Sequence, residues 1–524
     1  MEYENHDRSA EEQTAAENPT RREAIKFLIG GAMAAACPVP AALLAAAPAQ
    51  TRVGSESNEI CHKVRDGSTF KLPPPSAEYD VVIVGGGPSG LVAAHDLRDV
   101  NFLLLEKEPR LGGNAISEQW RGHWYSTGAA YNGDSHLEAL CREIGMEIRT
   151  IDSIDAAIIH DQVVPEFWTG GYWKCAYSQN TKKSFEKFLK DMRAIDVEEQ
   201  AEKLDAISFA EILKDYAPEL KLYFDNYGPN NWGADVENTS AFVGVQSTRW
   251  MAGLETRRFT WSGGLGRISL ALEDNINRAG AGRLRKGATV VRVEQKASRI
   301  QVSYLEEGQA VTVTAKAVVA ACPKFIAKKI IAELDADHLE AMGKMRYQPY
   351  LVVNVCCREV VYNGSFDTDI PAPSLIVDFN VADWSEERHN QETRRPQVLT
   401  CYVPRPERER ALFLSDDYCK QMGEKVVEQL EVWFPGARGK VEEVRIYRRG
   451  HAMFVSAPGV TTQLAPRIRK PFGNIFFAHS DAEGDITDFS SALQAGRRAA
   501  REAKNALGHA ALRSSPVAAA MPAR

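Results

Sequence analysis

Tyr79-Asp80-Val81-Val82-Ile83-Val84-Gly85-Gly86-Gly87-Pro88-Ser89-Gly90-Leu91-Val92-Ala93-Ala94-His95-Asp96-Leu97 decides the fold of this chain. It opens with a short apolar, β-branched run, the pattern of a strand buried in a parallel sheet. A glycine-rich turn follows, and small residues then open a helix. A second apolar run, Phe102-Leu103-Leu104-Leu105, ends in Glu106. Gly85, Gly87 and Gly90 therefore meet the spacing GxGxxG between a strand and a helix, with an acid at the end of the next strand. Gly85 allows the tight turn, Gly87 lets main-chain N–H groups approach a pyrophosphate, and Gly90 brings the helix onto the strand. Pro88 and Ser89 start that helix, whose N-terminus attracts anions. Glu106, with Lys107 beside it, stands where ribose hydroxyls would come. The expected fold is α/β with a Rossmann-like dinucleotide-binding domain.

The next motifs carry a resemblance. Lys107-Glu108-Pro109-Arg110-Leu111-Gly112-Gly113-Asn114, then Gly128-Ala129-Ala130, resemble the flavin amine oxidase superfamily, which includes monoamine and polyamine oxidases, protoporphyrinogen oxidase and phytoene desaturase-like enzymes. The family usually has Arg after the glycine pair, where this chain has Asn114. The resemblance runs from about residue 78 to about 505, through Phe259 to Leu265, Arg285 to Val293, Ala317 to Pro323, Gly473 to Asp481 and Ser490 to Gly496. It implies FAD as cofactor. Gly112, Gly113 and Asn114 would pass the pyrophosphate, Gly128 and Ala129 would lie by the flavin ring, and Val290 would meet the adenine edge through its backbone. Asp481 would bond the ribityl chain. Ser491 and Ala492 would open a closing helix facing the flavin pyrimidine.

The cofactor-binding domain is expected to be discontinuous, at 78–150, 256–329 and 441–505, with an inserted mixed α+β substrate domain at 151–255 and 330–440. Helical periodicity marks Ser184 to Met192, Ser208 to Tyr216 and Asp416 to Phe434, and Tyr350 to Cys356 reads as a strand. Residues 50–77 read as a linker and 506–524 as a disordered tail rich in Ala, Pro and Ser.

Three residues are candidates for catalysis. His451 falls eight residues before Gly459, where covalently flavinylated members of the family place a cysteine, so it is a candidate base, substrate contact or flavin anchor. Asn354 takes the place of the lysine that many of these oxidases hold near the flavin. Tyr125, with Trp124, is a candidate pocket wall, since aromatic walls suit flat, cationic or polyene substrates. Tyr131, Trp168, Tyr172 and Trp173 are further aromatics, read mainly as core. HExxH, a Walker loop and GxSxG are absent, and no CxxC pair suggests a metal, so none is expected.

The N-terminus is read apart from the fold. Thr20-Arg21-Arg22-Glu23-Ala24-Ile25-Lys26-Phe27-Leu28 leads into an Ala-rich apolar stretch ending Ala47-Pro48-Ala49, so residues 1–49 resemble a twin-arginine signal peptide. An uncleaved anchor and lipid attachment at Cys37 are the alternatives. Such a signal implies the twin-arginine export machinery as a partner, a cofactor loaded before export, and a periplasmic destination. With 63 Lys+Arg against 70 Asp+Glu the net charge is -7, which excludes a general nucleic-acid binder and leaves a small-molecule substrate. Eight cysteines remain beyond Cys37, and most lie in apolar runs suited to core positions.

The resemblance implies an exported FAD-dependent oxidoreductase that moves hydride from a C–N or C–C bond to flavin N5, with oxygen or a quinone as electron acceptor. Two other classes stay open. Gly112 to Ala115 also resembles UDP-galactopyranose mutase, which suggests a redox-neutral isomerase or mutase, and the FAD could be structural in a binding partner.

Overall fold

The Gly85–Gly90 turn leaves the middle of a seven-stranded sheet in the computed structural model of the chain. Its strand order is Leu284–Lys286, Phe102–Glu106, Glu78–Val84, Gln309–Ala320, Ile300–Glu306 and Ala288–Gln295, with Ile475–Phe477 also pairing to Gln309–Ala320. The structure describes residues 50–54, 57–151, 155–252, 258–280, 282–484 and 486–514, all within one compact unit, so the signal peptide and Cys37 lie outside the described residues. The strands around Glu78–Val84 run parallel, and the last two form an antiparallel hairpin with Gln309–Ala320. Val81 and Ile83 enter one core cluster while Val82 and Val84 enter another, which explains the unbroken apolar run. Helices Pro88–Asp96, Gly266–Ala279 and Phe489–Ser514 cover the first of these faces.

A second, eight-stranded sheet has the order Gln50–Gly54, Val441–Phe454, Tyr347–Cys357, Gln397–Pro404, Asp378–Val381, Asp367–Asp369, Ala156–Ile159 and Gln162–Pro165. One of its faces presents Leu351, Val353, Val355, Phe379, Leu399 and Cys401 to the helix Asp416–Trp433. The helices between Gln179 and Ala252 form a separate aromatic core in which Trp168 and Tyr172 pack with Phe185 and Phe224. All eight described cysteines are free thiols, and seven of them are buried. Among the described residues no helix is long and apolar enough to cross a membrane.

Three boundaries differ from the sequence reading. Residues 50–77 are not a bare linker: Gln50–Gly54 adds a parallel strand to Val441–Phe454, and Glu59–Arg65 is a helix. The strand finds its hydrogen bonds almost four hundred positions away, so no local pattern announces it. Residues 441–454 belong to the eight-stranded sheet rather than to the cofactor-binding part, because Val444 and Ile446 alternate into its apolar core. The tail begins later than expected, since good helix formers carry the closing helix to Ser514.

Candidate active site

Gly85, at φ 109°, turns the chain at the end of the central strand. Gly87 has an ordinary backbone conformation, yet a Cβ built on it would meet only the Gly113 Cα, at 3.8 Å. The turn thus shows bare main chain on an open side, and the first helical amides have no intrahelical acceptors. Gly112 N donates to Gly86 O at 2.9 Å and Ala129 N to Asn114 O at 3.1 Å, which draws the three glycine segments together. The Glu106 carboxylate accepts from Gly86 N at 2.6 Å and Glu108 N at 2.9 Å and keeps lone pairs for another donor. Lys107 is paired with Glu108. Val290 sits at a register shift in its strand, where main-chain groups leave the ladder. Open main chain, a helix N-terminus and a positioned acid fit a dinucleotide pyrophosphate and ribose.

Asp481 is placed differently from the sequence expectation. Its carboxylate is fully buried, accepts from Lys324 N at 2.9 Å and Tyr347 Oη at 2.6 Å, and pairs with the Lys324 ammonium at 2.8 Å and with His479 Nδ1 at 3.1 Å. Burial opposes its ionisation, but His479 and Lys324 hold its pKa well below the usual carboxylate range. It locks the loop after Ile475–Phe477 onto the start of Tyr347–Cys357 and does not reach into the cradle. Replacing Lys324 with Met strands this charge, so the melting temperature is expected to fall by an amount matching about 3–5 kcal/mol. A Lys324→Met, Asp481→Leu double variant should recover part of that loss in the same thermal scan. Ser491 and Ala492 open the closing helix, where Ser491 N donates to Asp488 Oδ1 at 2.7 Å. The neighbouring Ser490 Oγ accepts from Asn132 Nδ2 at 3.1 Å, joining that helix start to the Gly128–Tyr131 segment.

The three candidate catalytic residues do not meet. His451 lies at a rim, its ring stacked on Phe325 at 4.1 Å, and the adjoining Ala452 O accepts from Asn114 Nδ2 at 2.9 Å. Partial withdrawal from water, followed by the positive neighbours Arg410 and His62, pulls its pKa down to about 4, so its imidazole is neutral at physiological pH. Asn354 is wholly buried and accepts from Thr400 Oγ1 at 2.7 Å, roughly six strand positions or 20 Å from His451. Tyr125 is buried with its hydroxyl held by Glu118, Tyr447 and Arg445, each within 3.0 Å. That network closes it off as a pocket wall. Trp124 lies beneath Arg267, at 4.7 Å.

What the structure brings together instead is the second face of the eight-stranded sheet. Register places Asp369, Asp378, Tyr402, Val352 and Tyr447 in one row across the strands, and Asp367, Asn380, Thr400, Asn354 and Arg445 in the next. Polar residues that alternate along antiparallel strands normally meet water. Here Asp367, Asp378, Asn380, Thr400, Tyr402 and Asn354 are all buried. Tyr131 Oη donates to Asp367 Oδ2 at 2.7 Å, Asn230 Nδ2 to Asp378 Oδ2 at 3.0 Å, and Tyr223 Oη to Asp369 Oδ2. Tyr350 Oη donates to Asn230. Tyr402 Oη donates to Gly128 O at 2.8 Å, which joins the acidic rows to the segment expected at the flavin ring.

The charges in this cluster do not balance. Arg258 is buried, pairs with Asp155 and stands 3.5 Å from Asp367, and its guanidinium covers the Tyr131 ring at 4.7 Å. Among the described residues, the four carboxylates of Asp155, Asp367, Asp369 and Asp378 thus lie around the one guanidinium of Arg258. Burial first, and then the neighbouring Asp367, raise the Asp369 pKa to about 7 and push that of Asp378 well above the usual range. Asp378 Oδ1 and Asn380 Oδ1 are buried acceptors with no hydrogen-bond donor. Buried carboxylates with spare acceptor oxygens can accept N–H donors. Of these residues, Tyr131 and Asn354 stood out in the sequence. The available signal was Asp367-Thr368-Asp369 and Asp378-Phe379-Asn380, an acid pair and an acid–amide pair each two apart in a short strand, which places both members on one face.

The family model for flavin containing amine oxidoreductase matches residues 88–504. Flavin-containing amine oxidase B of Bos taurus is 24% identical over 480 residues, covering 83% of this chain and 87% of that protein. Oxidoreductase PigB of a Serratia strain is 23% identical over 543 residues, covering 83% and 78%. Among solved structures, a putrescine oxidase bound to putrescine superposes with a TM-score of 0.65 at 20% identity, covering 82% of this chain and all 100% of that one. Cyclohexylamine oxidase from Brevibacterium oxydans gives 0.64 at 18% identity, covering 82% and 99%.

Proposed function

Since the chain belongs to the flavin containing amine oxidoreductase family and is an FAD-dependent oxidoreductase, we propose that it dehydrogenates the C–N bond of a linear amine carrying a second positive charge. The uncompensated acidic rows carry this reading. Asp378 and Asp369 receive the distal ammonium, and the free Asp378 Oδ1 and Asn380 Oδ1 accept its protons. Tyr402 and Tyr350 flank the substrate chain and direct its reacting carbon toward the Gly128–Ala129 segment, while Arg258 limits the negative charge left over. Burial of this face excludes water, which strengthens each ionic contact. FAD, when bound in the Gly85–Gly90 and Gly112–Gly113 cradle of a Rossmann-like domain, supplies the hydride acceptor. Oxygen or a quinone then takes the electrons.

The reading is tested by mixing holoenzyme anaerobically with a linear diamine, the monoamine of equal length and the matching neutral alcohol. The diamine is expected to bleach the visible flavin band fastest. Equal rates for diamine and monoamine would remove the role of the acidic rows, and bleaching by neither would remove amine oxidation. Net consumption of acceptor separates this chemistry from a redox-neutral isomerisation.

A pH effect follows from Asp369. With a native pKa raised to about 7, the ligand-free protein holds a proton there that the unfolded chain releases near pH 4, so this group's contribution to stability declines as pH rises from 4 to 7. A cationic ligand favours the ionised carboxylate and reverses that loss. The diamine should raise the melting temperature more at pH 8 than at pH 6, and an equal rise at both would count against its contact with Asp369.

The paired arginines Arg21-Arg22 before Phe27-Leu28 and the apolar stretch to Ala49 support export by the twin-arginine route to the periplasm, with FAD loaded beforehand. Fractionation of expressing cells tests this part.

A further inference from the structure

The segment before the family match is fastened at several points around the cofactor cradle. Gln50–Gly54 runs parallel to Val441–Phe454, from Gln50 opposite Glu443 to Gly54 opposite Tyr447. Ser57 N then donates to Glu108 Oε1 at 2.9 Å, and Asn58 Oδ1 accepts from Lys107 Nζ at 3.4 Å, just beyond Glu106. The helix Glu59–Arg65 packs on the strand that holds Val290 and on the helix Lys324–Ile330, which follows the end of Gln309–Ala320. His62 and Arg65 are close enough to His451 to act on its charge. The chain returns through Ser76 N, bonded to Thr312 O, to enter the central strand at Glu78. It thereby touches the carboxyl ends of core strands on both sides of the Gly85–Gly90 turn, the place where an open α/β sheet takes its ligand.

The crossing is shallow. No residue of Glu59–Arg65 is fully buried: Ile60, Cys61, His62 and Val64 are half-buried, with Val64 packed against the core. Its charged pairs, Lys63 with Glu59 and Arg65 with Asp66, lie on the surface and hold little. A segment with no fully buried side chain between its tied ends opens locally at lower cost than the core.

We propose that Gln50–Gly54 and Ser57–Arg65 form a clasp that closes over FAD in the cradle and must lift for the cofactor to leave. The proposal rests on the FAD reading of that cradle. Ser57→Pro removes the N–H that holds Glu108 and leaves the rest of the clasp in place. Release of FAD from diluted holoenzyme, followed by flavin fluorescence, should be at least about tenfold faster in this variant, the weight of one hydrogen bond to a charged group. Hydrogen exchange of the Ser57–Arg65 amides should be slower with FAD than without, while amides of Asp416–Trp433 do not change. Wild-type release from Ser57→Pro together with exchange that ignores FAD overturns the clasp. Exchange that speeds up when FAD binds overturns it too, because the segment would then be a plug that the cofactor expels. If the purified protein neither carries FAD nor takes it up, the reading of the cradle fails instead.

Discussion

A Gly87→Val variant should be expressed, fold, and contain no FAD. A Cβ added there meets only the Gly113 Cα, at 3.8 Å, and Gly87 has a conformation that any residue adopts, so the backbone accepts a side chain at this position. The pyrophosphate does not, since Gly87 is the place where main-chain donors approach it. Losing two bonds to a charged group, each about 1.5–3 kcal/mol, lowers affinity by a factor on the order of a thousand or more. The ratio of visible to ultraviolet absorbance after purification reads the outcome, with circular dichroism as the check on folding. Gly90→Ala is the contrasting control. A Cβ there would lie 1.9 Å from Gly85 O, so this variant should lose folded protein rather than cofactor alone. Full flavin content in Gly87→Val would contradict the cradle.

The second large effect is on specificity. Asp378→Asn should lower kcat/KM for a diamine by a factor on the order of 100 to 1000, the cost of removing one partner of a buried ion pair. The monoamine of equal length should change by less than about tenfold. Stability should move the other way. Asp378 is ionised only at a cost, so a neutral side chain of the same shape is expected to leave the melting temperature unchanged or raise it. Loss of diamine turnover with undiminished stability is the signature of a binding group. A parallel loss of folding would return Asp378 to the core.

The strand, turn and helix around Gly85–Gly90 were legible because their signals are local. Gly85, Gly87, Gly90 and Glu106 lie within 22 consecutive residues, and each performs a task set by main-chain geometry. The acidic rows were not. Asp369, Asp378 and Tyr402 meet only through strand register, which no local pattern in the sequence announces. Asn354 was chosen for its alignment with a lysine; the fold shows it as one member of a polar row. Asp481 was read from its motif alone, and the partner that turns it inward, Lys324, lies 157 residues away. Tyr125 looked like a pocket aromatic until Glu118, Tyr447 and Arg445 closed around its hydroxyl.

The eight-stranded sheet divides its inheritance by parity. Along Tyr347–Cys357 the odd-numbered Leu351, Val353 and Val355 support the fold, while the even-numbered Tyr350, Val352 and Asn354 face the acidic side. Descendants of this enzyme can exchange one set and keep the other, so new amines become reachable without rebuilding the core. A library restricted to positions 350, 352, 354, 378, 380, 400 and 402 samples that freedom. Deleting a single residue from the strand would swap the two sets, sending leucine and valine to the substrate and tyrosine and asparagine into the helix packing. Point substitutions on the even-numbered face leave the core packing in place, whereas length changes in these strands disturb both faces at once.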